Sequence, residues 1–133
     1  MKVNKTIARI AFLLYLAVLM YLCFGKFSGI SQAPRSFLGI EGDKVVHFLM
    51  FLPFPVLSYF AFPIPKRTAW RSLLHVLLIL AVGSAFAAGT ELIQDLIPYR
   101  EADTADFTAD FLALCLSSAA VLLTDLNKTS RNA

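Results

Sequence analysis

Charged residues are scarce in this sequence. Only 16% of the 133 residues are Asp, Glu, Lys or Arg, whereas 58% are hydrophobic. Soluble domains are usually about 25% charged and about 45–50% apolar. A chain of this length has too little interior to bury such an apolar excess, which excludes an ordinary soluble enzyme. A disordered chain is excluded as well, so the composition indicates a membrane protein with a single domain over residues 1–133.

Cysteine is rare, and the common catalytic signatures are missing. Cys23 and Cys115 are expected at different depths of separate helices, so we predict no disulfide between them. The sequence contains no CxxC, HExxH or GxSxG pattern and no glycine-rich phosphate loop. Zinc proteases, serine hydrolases and phosphate-loop enzymes with recognisable motifs are therefore excluded.

Long runs without charge locate the predicted membrane spans. Four such runs, of 16, 21, 19 and 14 residues, lie between charged positions. A spanning helix needs about 17–25 mostly apolar residues, which the second and third runs provide and which the first and fourth reach if their polar ends lie at the membrane interfaces. On this basis the runs predict an all-α, integral membrane four-helix bundle. Its helices are predicted at about 7–25, 44–62, 72–97 and 106–124, with a kink at Pro53 and Pro55. The first run lacks a small-residue cleavage site, which favours an anchor over a signal peptide.

The distribution of positive charge predicts the orientation of the bundle. Four spans place both termini and the 63–71 loop on one side, together with Lys2, Lys5, Arg9, Lys66, Arg67, Arg71, Lys128 and Arg131. The other side holds Lys26, Arg35, Lys44 and Arg100. Because positive segments stay in the cytoplasm, both termini are expected there. The net charge of +3 then indicates contact with the lipid bilayer and not with nucleic acid.

Polar side chains gather at the opposite, outward-facing end of the predicted bundle. Helical spacings of three or four residues group them on shared faces, and small residues below them favour close packing of the third and fourth helices. The candidate catalytic residues are Asp43, His47, Glu91, Asp106 and Asp110. The candidate ligand-binding residues are Lys44, Gln94, Arg100 and Asp103.

Several interpretations of this polar end stay open. Its groups suit a proton relay, a divalent-cation site or the acid–base set of an interfacial enzyme. Asp43 and Asp106 also suit the dipole at a helix start without any further role. Glu91 and Asp110 continue apolar stretches, where ionisable groups are costly, so both are expected to be buried. His75 stands alone near the inner end and is interpreted as an interface residue.

Three stretches of the polar end resemble the VanZ-like family of small bacterial membrane proteins. Residues 43–48 are similar to its D-K-x-x-H-F helix start, and residues 91–100 to its E-x-x-Q…P-x-R helix end. Residues 100–106 are similar to its R-x-x-D run into the last helix. The match covers about residues 40–120 and departs at Asp110 and Ala113, where the family usually has Asn and Gly. The resemblance implies a four-helix cell-envelope protein, in a family named for a protein associated with resistance to the glycopeptide teicoplanin.

Three classes of function follow from these observations. The first is a membrane protein that binds or modifies an outer-leaflet or cell-wall ligand through the polar end. The second is a non-catalytic scaffold, in which the same residues hold the helices together. The third is a small proton- or cation-coupled transporter, although Ser58 and Ser84 are the only polar residues that we expect to mark a path to the inner side.

Overall fold

The chain is almost entirely helical in a computed structural model that describes residues 3–25, 36–65, 67–99 and 102–131. Its elements are α1 (Lys5–Phe24), β1 (Ser36–Phe37), β2 (Ile40–Glu41), α2 (Gly42–Phe51), α3 (Phe54–Ala61), α4 (Ala69–Asp95) and α5 (Thr104–Arg131). Four helical units are long and apolar enough to cross a membrane: Lys5–Phe24, Gly42–Ala61, Ala69–Asp95 and Thr104–Arg131. The prediction of an all-helical chain with four apolar helices is confirmed at this level.

The second apolar segment is broken where prolines interrupt its hydrogen bonding. Proline has no backbone N–H to continue a helical ladder, and α2 ends at Phe51 before α3 begins at Phe54. The carbonyl of Met50, next to this break, accepts a hydrogen bond of 2.6 Å from the hydroxyl of Tyr15 on α1. A side chain thereby pairs with a backbone carbonyl inside the apolar region, where unpaired polar groups are costly.

Helix α5 lies against both α2 and α4, and α1 packs mainly on α3. The helices approach closely at Gly83 of α4, because a Cβ there would lie 2.8 Å from Leu114 Cδ2 and 3.0 Å from Phe54 Cε1. Ala87 and Ala113 are fully buried, as expected for close packing of these helices. On the last helix, small residues were predicted to pack at Ala113, Ser117 and Ala120. The first two are buried, but Ala120 is exposed, so the packed face of small residues ends at Ser117.

The last helix is longer than predicted, and this changes the position of Asp125. Helix α5 runs to Arg131 instead of ending near residue 124. Asp125 therefore belongs to the helix and is only 1% exposed, whereas the predicted helix ended just before it. Helical residues one and two turns earlier, Val121, Ser118 and Ser117, are also buried, so Asp125 continues the buried face of α5.

A short antiparallel hairpin leads directly into α2. Ser36 pairs with Glu41 and Phe37 with Ile40, and the turn residues Leu38 and Gly39 have φ angles of 53° and 82°. Two positive φ angles in succession are typical of a tight hairpin turn that favours glycine. The hairpin was not predicted, and it places Glu41 one helical turn before Lys44.

Candidate functional site

Four buried ionisable side chains meet at one end of the bundle, and we call them the His47 cluster. Its members are His47 of α2, Glu91 of α4, and Asp106 and Asp110 of α5. The imidazole Nδ1 lies 3.2 Å from Asp110 Oδ1 and 3.9 Å from Glu91 Oε1, and Nε2 lies 3.7 Å from Asp106 Oδ2. Each of the four residues is less than 9% exposed, so the charged and polar groups of three helices converge out of solvent.

The positions of these residues within their helices explain the convergence. His47 lies in the second turn of α2, Glu91 lies about one turn before the end of α4, and Asp106 lies in the first turn of α5. Asp110 follows Asp106 by four residues and shares its helix face. The two aspartates are thus one turn apart and face the two different nitrogens of the same imidazole ring.

Asp110 is the most deeply buried member of the cluster. Its side chain is 0% exposed, and its carboxylate oxygens lie 3.2 and 3.4 Å from His47 Nδ1. A carboxylate only accepts hydrogen bonds, so the pair places the imidazole proton on Nδ1. The other ring nitrogen, Nε2, is then the one that faces Asp106 and is available to a ligand.

Two carboxylate oxygens of the cluster have no hydrogen-bond partner among the described residues. Glu91 Oε2 accepts the backbone N–H of Asp103 at 3.2 Å, but the buried Glu91 Oε1 accepts none. Asp106 Oδ1 is also buried without a hydrogen bond. Buried polar atoms are nearly always hydrogen-bonded in proteins, so these two carboxylate oxygens keep unused hydrogen-bonding capacity, although Asp106 Oδ1 is also 3.7 Å from Lys44 Nζ.

Lys44 lies at the rim of the cluster. Its Nζ is 3.0 Å from Asp103 Oδ2 and 3.7 Å from Asp106 Oδ1, and it also forms an ion pair with Glu41. The hydrogen bond from the backbone N–H of Ala105, followed by that from Lys44, lowers the pKa of the Asp103 carboxyl. Lys44 therefore acts as a counter-ion for carboxylates, whereas the sequence suggested a cation free to hold anionic ligand groups.

Other residues predicted for the site lie outside the cluster. Asp43 is exposed, and its carboxylate accepts the backbone N–H of Lys44 at 3.0 Å. Gln94 is buried, but its Nε2 donates to the carbonyl of Cys23 at 2.9 Å and so joins α4 to α1.

The prediction for Arg100 falls outside the described residues. Asp103 does contribute, because it caps α5 through the N–H of Ala105 at 2.8 Å and binds Lys44.

An open groove of about 370 Å³ borders the cluster between α4 and the start of α5. It is lined by Ala88, Glu91, Leu92, Asp95, Ala102, Asp103, Thr104 and Phe107. Most of these side chains are small or apolar, and Glu91 is the member of the His47 cluster that forms part of the wall. The groove has the size of a small-molecule site and places apolar surface beside an acidic centre.

A second buried polar group, which the sequence analysis missed, lies toward the opposite end of the bundle. We call Tyr59, Arg67, His75 and Asp125 the Asp125 cluster. The hydroxyl of Tyr59 and the guanidinium Nη1 of Arg67 both donate to Asp125 Oδ1. The rings of Tyr59 and His75 lie 5.6 Å apart, which corrects the interpretation of His75 as an isolated interface residue. Asp125 follows Val121 and Ser118 at helical spacing, so a longer predicted helix would have placed Asp125 on the same face as these residues. Because the predicted helix ended at residue 124, this spacing was not considered.

An apolar layer separates the two clusters. In sequence, Phe51 and Phe54 lie between His47 and Tyr59, and Leu114 lies between Asp110 and Asp125. All three side chains are at most 3% exposed and belong to the packed core. Close packing at this level leaves the two polar ends of the bundle as distinct sites.

Comparison with known proteins does not assign either site: no family model, curated protein or solved structure matches this chain. The chemistry of the His47 cluster therefore follows from its own groups. An imidazole between two carboxylates can accept or deliver a proton near neutral pH. Imidazole nitrogen and carboxylate oxygen are also common ligands of divalent cations.

Proposed function

We propose that this chain is a VanZ-like, multi-pass membrane protein of the bacterial cell envelope that binds an envelope ligand at the His47 cluster. The observation that carries the proposal is the convergence of one imidazole and three carboxylates, from three helices, at a single buried point. Ionisable groups within membrane helices are costly and usually mark functional sites. The three sequence stretches that resemble the VanZ-like family contribute most of this site.

The charge distribution supports an outward-facing site. Among the described residues, the end of the bundle that holds the termini carries the cations Lys5, Arg9, Arg67, Arg71, Lys128 and Arg131. The His47 end carries the single described cation Lys44 and the acids Glu41, Asp43, Glu91, Asp95, Asp103, Asp106 and Asp110. Since positive segments remain in the cytoplasm, the His47 cluster faces the outer side in this proposal.

The groove beside the cluster defines the class of ligand. Its apolar wall suits a lipid chain or an apolar part of a glycopeptide-like molecule, and Glu91 presents a carboxylate at its edge. Because Lys44 is already held by carboxylates, the site favours cationic or hydrogen-bond-donating groups over anionic ones. His47 lies between two carboxylates and can move a proton, so the same site is able to modify a bound ligand.

A non-catalytic scaffold is the second candidate function. The contact that favours it is the fully buried pair of Asp110 and His47, which joins α5 to α2 inside the apolar region. In that case the cluster stabilises the bundle and binds nothing. A coupled transporter is a weaker candidate, because Phe51, Phe54 and Leu114 pack between the two ends. The buried hydroxyls of Ser58 and Ser118 have no hydrogen-bond partner among the described residues, so they form no described hydrogen-bonded path.

Isosteric substitution of the cluster tests the proposal. Glu91→Gln and Asp106→Asn remove a charge without changing side-chain size, and each is expected to abolish teicoplanin resistance conferred on a susceptible bacterial host. The amount of folded protein in the membrane is expected to stay at the wild-type level. Asp43→Asn is the matched control, because Asp43 lies on α2 one turn from His47 but is exposed and lines neither the cluster nor the groove.

Three results would count against the proposed binding site. Full resistance in both Glu91→Gln and Asp106→Asn would show that the cluster is not needed. Loss of both proteins from the membrane would instead favour the scaffold. An equal loss of resistance in Asp43→Asn would show that the effect comes from removing negative charge at this end of the bundle in general.

A further inference from the structure

Three side chains of the His47 cluster are close enough together to share a metal ion. One ligand atom from each of His47, Glu91 and Asp106 can be chosen so that all three lie within 4.8 Å of one another. All three residues are buried, and Glu91 Oε1 and Asp106 Oδ1 have no hydrogen-bond partner among the described residues. Two ligands that each lie about 2.1 Å from a tetrahedral metal are about 3.4 Å apart. The 3.7 Å between His47 Nε2 and Asp106 Oδ2 is close to that separation.

The position of Asp110 adds an independent indication. Imidazoles that bind metals usually donate their other N–H to a carboxylate or carbonyl, which fixes the tautomer and the ring orientation. Asp110 Oδ1 lies 3.2 Å from Nδ1 of His47 and is fully buried. Nε2 is therefore left without a proton, on the side of the ring that faces Asp106.

The charge balance of the cluster points in the same direction. Glu91, Asp106 and Asp110 bring three carboxylates together, and Lys44 is the single Lys or Arg side chain among the described residues that forms an ion pair with any of them. Lys44 also pairs with Glu41 and Asp103, so its charge is shared. Like charges in a buried site recruit a cation or become protonated. A divalent ion would neutralise the excess negative charge and give the buried Glu91 Oε1 a partner.

We propose that His47, Glu91 and Asp106 bind a divalent transition-metal ion, with Asp110 as the residue that positions the imidazole. The inference rests on the proposed function in treating the His47 cluster as a binding site, and it names the cofactor of that site. An imidazole ligand favours ions such as Zn²⁺ over Mg²⁺ and Ca²⁺, which prefer oxygen alone. The groove along Glu91 gives the ion a route from solvent and places it beside the bound ligand.

Equilibrium dialysis of the full-length, tag-free chain in detergent against Zn²⁺ tests the inference. The wild type is expected to retain about one Zn²⁺ per chain in the presence of a ~100-fold excess of Mg²⁺. Glu91→Gln and Asp106→Asn are expected to lose this retention. Asp110→Asn is expected to keep the stoichiometry while affinity falls about 10–100-fold, as for other residues that orient a ligating imidazole. Circular dichroism and gel filtration confirm that each variant is folded.

Two matched controls separate this site from adventitious binding. Asp43→Asn removes an exposed carboxylate of α2 outside the cluster and the groove, and His75→Gln removes the other histidine of the chain, so both are expected to retain Zn²⁺ as the wild type does. The inference is overturned if the wild type retains no Zn²⁺, or if a control loses it as completely as Glu91→Gln. The wild-type measurement decides the point even if a variant fails to fold.

The metal inference and the proposed function fail in different ways. Zn²⁺ retention that depends on His47, Glu91 and Asp106, in a chain whose cluster variants still confer resistance, would support the metal site and contradict the proposed function. A wild type that binds no Zn²⁺, in a host where Glu91→Gln and Asp106→Asn abolish resistance, would contradict the metal site alone.

Discussion

His47 and Asp110 form a buried pair that joins α2 to α5, with Nδ1 of the imidazole 3.2 Å from Oδ1 of the carboxylate. The two residues are 63 positions apart in sequence. The pair fixes both the rotation of α2 about its axis and its level against α5, because a shift of either helix breaks the contact. It thereby holds His47 where Glu91 and Asp106 also approach the ring.

The first prediction concerns this pair. Asp110→Asn and His47→Gln are each expected to lower the free energy of unfolding by about 1–3 kcal/mol, because each leaves a buried polar partner unsatisfied. The double variant is expected to be less destabilised than the sum of the two, with a coupling energy of about 1 kcal/mol or more. Thermal unfolding in detergent, followed by circular dichroism, measures all four proteins.

A second cycle serves as the control for the first. His47→Gln combined with Asp95→Asn is expected to be additive, because Asp95 is exposed and forms no described contact with the imidazole. Strict additivity in the His47 and Asp110 cycle as well would contradict the close contact between these two side chains.

The second prediction concerns the tight approach of helices at Gly83. Gly83→Ala is expected to destabilise the protein by about 1–3 kcal/mol, because the new Cβ would overlap the side chains of Leu114 and Phe54. Both side chains are buried in the packed core and have little room to move away. Thermal unfolding of the purified protein checks this.

Gly89→Ala is the matched control on the same helix. A Cβ at Gly89 meets nothing within 4 Å, so the higher helix propensity of alanine is expected to stabilise α4 by about 0.5–1 kcal/mol. If Gly83→Ala were as stable as Gly89→Ala, the packing of α4 on Leu114 and Phe54 would be wrong.

The third prediction concerns the Asp125 cluster. Asp125→Asn is expected to cost about 2 kcal/mol, since Tyr59 and Arg67 both donate to the same buried oxygen. Tyr59→Phe is expected to cost about 1 kcal/mol alone and much less in the Asp125→Asn background, because the two changes remove one shared interaction. Arg71→Gln, which removes an exposed charge of α4, is expected to leave the unfolding temperature unchanged.

The fourth prediction concerns the orientation of the bundle. Asp43→Cys and Lys128→Cys place thiols at exposed positions on opposite ends, in a chain whose own Cys23 and Cys115 are replaced by alanine. A membrane-impermeant maleimide added to intact cells is expected to label position 43 and to reach position 128 only after the cells are opened. The reverse pattern would place the His47 cluster on the cytoplasmic side and contradict an outward-facing site.

Much of the fold was predictable because it depends on local properties of the sequence. The charge-free runs located the four apolar helices to within a few residues at most ends, and Pro53 and Pro55 marked the break between α2 and α3. The end of α5 was misplaced, because the charge-free run used to locate the helix ends at Asp125. The carboxylate of Asp125 forms an ion pair with Arg67 and accepts a hydrogen bond from Tyr59, and both partners belong to distant parts of the chain.

By itself the sequence determined which segments are apolar, which residues share a helix face and at which end of the bundle the acids collect. Hydropathy and helical periodicity are properties of single segments, so they can be recognised without knowing which other segments pack against them. Only the tertiary structure decided that Asp106 and Asp110 flank the same imidazole, that Gln94 joins α4 to α1, and that Lys44 is a counter-ion. These outcomes depend on the rotation and level of each helix, which are set by packing between segments far apart in the chain.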